Sequence, residues 1–345
     1  MNILRWFLFP LAVLYGGVTK VRNWLFDLGI LEEQPIMVPS IAVGNLAVGG
    51  TGKTPHVEYL LRLLTPQYRV AMLSRGYGRH TKGLQAVSIE AHPDAVGDEP
   101  LQVKRRFPQS LVVVDANRRR GVKWLTQQGA EAIVLDDAFQ HRYVRPGIRI
   151  LLTTYNRPYT KDELLPMGRL REAQQGAKRA DIIIVTKCPP ALSPATRDAI
   201  VQELKCREGQ SVFFTYNHYG TPYALFPDAS PYRQSANLAV ITGIAHPEPL
   251  ITHFAKDATV VALRFPDHHR FTKADLQRIE QETAHVSQVI TTEKDATRLL
   301  PYATSLSVTL RQKIYVQPIE VAFLSDENSF NNIIISYVST HQRNS

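Results

Sequence analysis

The stretch Ala42-Val43-Gly44-Asn45-Leu46-Ala47-Val48-Gly49-Gly50-Thr51-Gly52-Lys53-Thr54-Pro55 decides the fold. Ser40-Ile41-Ala42-Val43 is an apolar, partly β-branched run that leads into glycines. Val57, Leu60, Leu61 and Leu64 then recur at helical spacing from a start near Lys53. Strand, glycine loop and helix in that order make a phosphate nest. The backbone N–H groups of Gly49, Gly50, Thr51 and Gly52 converge at a helix amino terminus. Lys53 reaches the β- and γ-phosphates of a nucleotide, and the Thr54 hydroxyl is placed to ligate Mg²⁺. Ala47 stands where G-x-x-x-x-G-K-[ST] has its first glycine. That position serves the turn rather than the phosphates, so a small residue is a mild departure.

Working outward, further β-branched runs alternate with amphipathic segments, as in βαβ units around a mostly parallel sheet. They are Arg69–Leu73, Leu111–Val114, Ala132–Leu135, Ile148–Leu152 and Ile182–Val185. Polar residues follow each run, where an open parallel sheet binds its ligands. Between Phe213 and Gln234 the pattern weakens into Tyr, Pro, Asn and Gly. A second α/β unit follows, with strands at Leu238–Thr242, Thr259–Leu263 and Gln288–Thr291. The expected class is α/β: a P-loop NTPase-like, mostly parallel core, a second smaller α/β lobe and an amino-terminal membrane-associated helix. The expected divisions are 1–30 for that helix, 31–215 for the core, 216–236 for a connection and 237–345 for the smaller lobe.

The chain has 345 residues and a formal charge of +9, which points to anionic partners without choosing among nucleic acid, phosphorylated substrate and acidic lipid. No interleaved aromatic and basic motif supports nucleic acid. The two cysteines, Cys188 and Cys206, form no C-x-x-C and imply neither zinc nor a disulfide framework. The first residues, Ile3 to Tyr15, are strongly apolar but are interrupted by Arg5 and Pro10. The run is too short to span a bilayer, which needs ~20 residues. An interfacial helix fits better, with aromatic rings at headgroup depth and Lys20 and Arg22 toward anionic lipid. A helix packed against its own protein is the plainer alternative.

Several islands carry chemistry. In "AIVLDDAFQHR", Ala132 to Arg142, an apolar strand ends in acid, which is the magnesium partner that such loops require. Asp136 is the metal-associated residue; Asp137, Gln140, His141 and Arg142 are expected to face the same cleft. "VGDEP" sets Asp98 and Glu99 before a helix, where they either act or simply cap it. "DANRRRG", Asp115 to Gly121, suits phosphate clamping or a solvated basic face. "FPDHH", Phe265 to His269, follows a strand of the second lobe, with its histidines open to either reading. A ParA-like ATPase would have lysine at Val48, and a GTPase would have an [NT]-K-x-D motif that Thr186-Lys187-Cys188-Pro189 begins but does not finish. What remains is phosphoryl transfer to a small or lipidic acceptor, with a membrane-associated P-loop switch or assembly ATPase as the alternative.

Taken together these islands resemble the tetraacyldisaccharide 4′-kinases, the lipid A 4′-kinases of Gram-negative bacteria. The shared set is the apolar first helix, "VGNLAVGGTGKTP", "SRGYGR" (Ser74 to Arg79), "VGDEP", "NRRRG", "DDAFQHR", "LLPMGRLRE" (Leu164 to Glu172), "FPDHHRF" and "TTEKD", in one order as far as Asp295. The resemblance implies ATP- and Mg²⁺-dependent phosphorylation of the 4′-hydroxyl of a tetra-acylated glucosamine disaccharide 1-phosphate. It implies nucleotide between the two lobes, at the cytoplasmic face of the inner membrane with a peripheral attachment. By motif, the implied general base is an Asp–His dyad, Asp98 and His268. Mg²⁺ then falls to Thr54 and Asp136 with Glu99 as an additional ligand. Asp137 lies beside the transferring phosphoryl group or the metal shell. Arg118, Arg119 and His141 are expected to handle phosphate charge, and Arg171 and Glu172 the sugar headgroup.

Overall fold

A computed structural model describes residues 3–343, and side chains from Leu8 to Gln342; those of Arg5, Trp6 and Phe7 lie outside the described residues. Helix α1 (Ile3–Asp27) continues through Pro10 and is followed by β1 (Gln34–Pro35), β2 (Ser40–Asn45), α2 (Lys53–Leu64), β3 (Val70–Ser74) and β4 (Gln85–Ala86). Next come α3 (Pro93–Val96), α4 (Asp98–Arg106), β5 (Leu111–Val114), α5 (Arg118–Gln127), β6 (Ala132–Asp136), β7 (Val144–Arg145) and β8 (Ile148–Thr154). Strand β9 (Ile182–Thr186), α6 (Pro194–Leu204) and β10 (Ser211–Tyr219) complete the first pass.

With a later strand, β16 (Ile319–Phe323), these strands build a nine-stranded sheet in the order β16-β10-β9-β8-β2-β6-β3-β5-β4, parallel except at its two outermost strands. Strand β2 lies between β6 and β8, so the chain leaves it in one direction and later returns on the other side. The loop after β2 therefore opens at the switch point of the sheet, where a crevice forms. Six consecutive buried residues in β2 explain its unbroken apolar reading, because helices cover both faces. On one face Val57, Leu60, Leu61 and Leu64 of α2 are fully buried. Together they contribute roughly 6–12 kcal/mol of gross burial energy that holds the loop's helix in place.

The second lobe is a five-stranded sheet, β11-β15-β14-β12-β13. Its elements are β11 (Tyr223–Ala224), β12 (Asn237–Thr242), α7 (Glu248–Phe254), β13 (Thr259–Arg264), α8 (Lys273–Glu282), β14 (Gln288–Thr292), α9 (Glu293–Leu299), α10 (Val308–Arg311) and β15 (Ile314–Gln317). The expected lobe of 237–345 needs correcting at its end. Strand β16 (Ile319–Phe323) pairs antiparallel with β10, and Phe330, Ile334 and Val338 of α11 (Glu327–Arg343) join the core beneath α2. The alternating pattern of this tail marks a strand and a helix but carries no label for the sheet they complete. The second lobe is thus an insertion in the first, attached through β10–β11 and β15–β16.

Helix α1 has two unlike faces. Ala12 and Phe26 are buried, Tyr15 Oη donates to the Arg171 carbonyl (2.7 Å), and Arg22 donates to the Gln140 carbonyl (2.8 Å). Arg142 clamps the helix end through the Asn23 carbonyl, Asp27 and Glu33. Two expectations change here: Arg22 faces the body of the protein rather than lipid, and Arg142 holds α1 rather than facing the cleft. On the other face Leu11, Leu14, Val18, Val21, Trp24 and Leu28 are all more than half exposed and recur every three or four residues. Among the described residues no helix is long and apolar enough to cross a membrane.

Candidate active site

The loop is shaped by short-range bonds and by one bond from β9. Gly52 caps α2 with φ 90°, a left-handed conformation open to glycine. Asn45 Nδ2 donates to Thr51 Oγ1 (2.8 Å), and Thr186 Oγ1 donates to the Thr51 carbonyl (2.9 Å). His56 Nδ1 lies 2.7 Å from the Gly52 carbonyl. Burial pushes this imidazole down to about 4, so it is neutral and structural. Gly49 to Lys53 are thereby pinned from β2, β9 and α2.

At the end of β6 the two acids differ. Asp136 is 2% exposed, and Ser74 Oγ donates to its Oδ2 (3.0 Å), while Oδ1 is buried with no hydrogen-bond partner. Burial, with the charges of Glu99 and Asp137, pushes its carboxyl up to about 7. Asp137 takes a left-handed backbone (φ 45°) and meets Lys53 Nζ at 3.9 Å and Arg171 through both oxygens (2.8 and 3.2 Å). Burial alone would raise Asp137, but Lys53 and Arg171 outweigh it and hold the carboxyl below its ordinary value.

An orphaned, buried carboxylate oxygen beside two further acids is what a divalent cation would satisfy. Among the described residues, no three His, Cys, Asp or Glu side chains form a metal site by themselves. Mg²⁺ takes one or two carboxylates and completes its shell with water and phosphate oxygens. Thr54 lies in the first turn of α2, and among the described residues its hydroxyl makes no hydrogen bond. Glu99 is held by Lys294 (3.2 Å).

The dyad expected from separate motifs is assembled across the lobes. Gly97, at φ 92°, separates α3 from α4 and starts the helix that presents Asp98. His268, left-handed at φ 57°, sets its Nδ1 3.0 Å from Asp98 Oδ2. Arg298 of α9 donates twice to the same oxygen (2.6 and 2.9 Å) while also holding Asp295 and the Gly243 carbonyl. Burial of Asp98 works against ionisation, yet hydrogen bonds from His268 and Arg298 prevail and bring its carboxyl down to about 2. Lys294 Nζ lies 3.2 Å from His268 Nε2. An ammonium can only donate there, so Nε2 carries the lone pair and Nδ1 the proton given to Asp98. The exposed ring of Tyr77 stands 5.6 Å from the His268 ring. His269 is bound elsewhere, to Asp275 (3.0 Å).

Other expectations shift. Arg118 is buried and turned inward, donating to the carbonyls of Asp136 (2.7 Å) and Asp115 (3.3 Å). It braces the strand end instead of reaching into open cleft. Arg119 faces the α1 connection, donating to the carbonyls of Glu32 and Tyr143. Arg120 pairs with Asp115, so none of the three arginines is free. Burial and the nearby Arg118 and Arg75 bring His141 down to about 4, so it is neutral and offers no cation. Glu172 accepts from Arg179, Gln140 and Asn23 in a buried network that seats α1, not in a headgroup site. Arg171 alone of that pair is turned to the loop, through Asp137 and Asn45. Sequence reasoning missed Arg298, Lys294, Ser74 and Asn45. "TTEKD" and "SRGYGR" contain two of them, but nothing local announced their partners.

A cavity of about 510 Å³ lies beside the loop. Its walls are Leu46–Thr51, the end of β8, Lys187 and the second-lobe loop Ala245–Pro249. It is large enough for the nucleoside end of a nucleotide whose phosphates rest on the loop.

The family model described as tetraacyldisaccharide-1-P 4′-kinase matches residues 4–339. A tetraacyldisaccharide 4′-kinase of Flavobacterium johnsoniae is 44% identical, covering 98% of this chain and 98% of that protein. One from Bacteroides thetaiotaomicron is 41% identical over 100% of this chain and 96% of its own length. A crystal structure of LpxK from Aquifex aeolicus in complex with ATP superposes with a TM-score of 0.75 at 27% identity, over 97% of this chain and 100% of that one.

Proposed function

Because this chain belongs to the tetraacyldisaccharide 4′-kinase family, we propose that the cross-lobe dyad and the loop of β2 together carry out its phosphoryl transfer. The protein is an ATP-dependent kinase that phosphorylates the 4′-position of the lipid A disaccharide precursor. The observation that carries the assignment of residues is the convergence of Asp98 and His268, 170 residues apart, into a 3.0 Å contact.

In this reading the phosphates of ATP lie on the amides of Gly49 to Gly52, with Lys53 at the β–γ end. The nucleoside occupies the 510 Å³ cavity, closed on one side by the second lobe. Asp136 and Thr54, with Glu99 nearby, would hold Mg²⁺, which would neutralise developing phosphate charge. Asp98 is too weakly basic to work alone, being held at about 2. It instead fixes the His268 tautomer and stabilises the imidazolium. The lone pair of His268 Nε2 takes the proton of the 4′-hydroxyl as that oxygen bonds to the γ-phosphorus and the bond to ADP breaks. Lys294 withdraws from Nε2 to admit the hydroxyl. Arg171 and Asp137 flank the transferred group.

The exposed apolar stripe of α1 supports peripheral attachment to the membrane that holds the acylated acceptor. Incubation with γ-labelled ATP and disaccharide 1-phosphate in detergent should yield a labelled bisphosphate. Hydrolysis indifferent to the glycolipid would refute the reading.

A further inference from the structure

Where the cavity meets Gly49 and Gly50 it holds two cations, Lys187 and Arg169, whose side chains have no partner among the described residues. Lys187 follows β9 with a left-handed backbone (φ 57°), one of five non-glycine residues so placed among the described residues. Two of the others, Asp137 and His268, belong to the active site. Such conformations persist where surrounding structure over-determines them, and they cluster at functional sites. A Cβ built on Gly50 would lie 3.8 Å from Lys187 Nζ, and one on Gly49 would lie 4.0 Å from Arg169 Nη1. The main chain of Arg169 is fixed on both sides: its carbonyl accepts from Val48 N (2.8 Å) and its N–H donates to Asp162 (3.1 Å).

The acids of the cavity are already engaged, Asp162 with Arg157 (2.8 Å) and Glu248 with Arg264 (3.0 Å). Burial lowers the pKa of the Lys187 ammonium, and no carboxylate offsets this. A partly buried cation without a counter-charge calls for an anionic ligand. The loop itself has Val48 where ParA-like loops have a second lysine. From the end of β9, at the same edge of the sheet, Lys187 brings an ammonium to the loop beside Gly50.

We infer that Lys187, assisted by Arg169, is a second phosphate-binding site of this kinase, gripping the β- and γ-phosphates from the side of the loop opposite Lys53. The inference rests on the reading that the nucleotide's phosphates lie on Gly49 to Lys53. Lys187 contributes by charge, and the guanidinium of Arg169 adds a planar fork at the rim.

Titrating ATP, ADP and AMP into the full chain with Mg²⁺, by calorimetry, tests it. Lys187→Met should weaken ATP and ADP about tenfold, equivalent to about 1.4 kcal/mol, and leave AMP within about twofold, since AMP lacks both phosphates. Lys187→Arg should recover most of the loss. Arg169→Gln, at an exposed position, should weaken ATP by a smaller factor and flatten its salt dependence. Unchanged ATP affinity in Lys187→Met, or an equal loss for AMP, would overturn the inference. The premise is read separately from wild type and Lys53→Met. If wild type binds AMP as well as ATP, and Lys53→Met changes neither, the loop is no phosphate site and the inference falls with it.

Discussion

Replacing Asp136 by Asn should make the metal-free protein more tolerant of alkaline pH. The Asp136 carboxyl is pushed from 3.8 to about 7, first by burial and then by Glu99 and Asp137. A folded-state value above the unfolded one gives stability that is fully present below 3.8 and lost as pH rises through about 7. Three pH units of displacement correspond to roughly 4 kcal/mol at pH 8, of which roughly 1.5–2 is already lost at pH 5. Asn keeps the shape and never ionises. Any loss from its amide hydrogens is independent of pH. The wild-type-to-variant gap should therefore move by about 2–3 kcal/mol in the variant's favour between pH 5 and 8. At ~2.1 cal/mol/K of unfolding entropy per residue, that is about 3–4 °C in Tm for a chain of this length. Differential scanning calorimetry in chelator at four pH values measures it. Adding Mg²⁺ and ATP should then raise the wild type and not the variant, whose transferase activity should fall by a factor of ~10³ or more. A gap that stays constant from pH 5 to 8 would show that no buried charge is relieved, and the argument for an orphaned metal-seeking carboxylate would fail.

Asp98→Asn and His268→Ala should each lower kcat by ~10²–10³ with ATP affinity retained, and the double variant should be no worse than the poorer single one. Multiplying losses in a kinetic cycle would contradict a coupled dyad. Charging the exposed stripe of α1, as Leu14→Glu with Val21→Glu, should release the protein from anionic vesicles in a flotation assay without shifting Tm; unchanged flotation would remove the membrane role. Arg106→Met strips the counter-charge from Glu58, Glu293 and Glu320, which it meets at 2.8, 2.9 and 2.5 Å. It should destabilise the protein by ~3 kcal/mol or more in urea unfolding. Glu172→Gln should lower Tm and loosen α1 to proteolysis while leaving KM for the disaccharide within about twofold, since Glu172 seats the helix; a selective rise in KM would restore it to the headgroup.

Much of the architecture was legible because β2, β3, β6 and β9 are buried along their whole length and β8 nearly so, which gives each strand a run of consecutive apolar residues, broken in β8 by Arg149. The loop was legible from its glycines and the strand and helix on either side of it, although Thr186, 135 positions away, also helps to hold it. What escaped is non-local. Arg298 meets Asp98 across 200 positions and Asn23 meets Glu172 across 149. No periodicity links such pairs. Charge in a motif also told little about direction: Arg118, Arg119 and Arg120 share one basic run but serve three different anchor points. The apolar and polar signals of α1 were read as competing accounts, whereas the helix devotes one face to each.

The insertion of the second lobe has a consequence for how the chain is made. Strand β10 is complete at Tyr219, but its outer neighbour is Ile319–Phe323, and the helix that finishes the core beneath α2 follows later still. During vectorial synthesis the nascent core therefore waits with an uncapped strand and an uncovered apolar face while the whole intervening lobe emerges. Helix α11 closes the layer beneath α2. Premature termination anywhere in the second lobe leaves a product unable to complete its first domain, however intact the "GGTGKT" segment is.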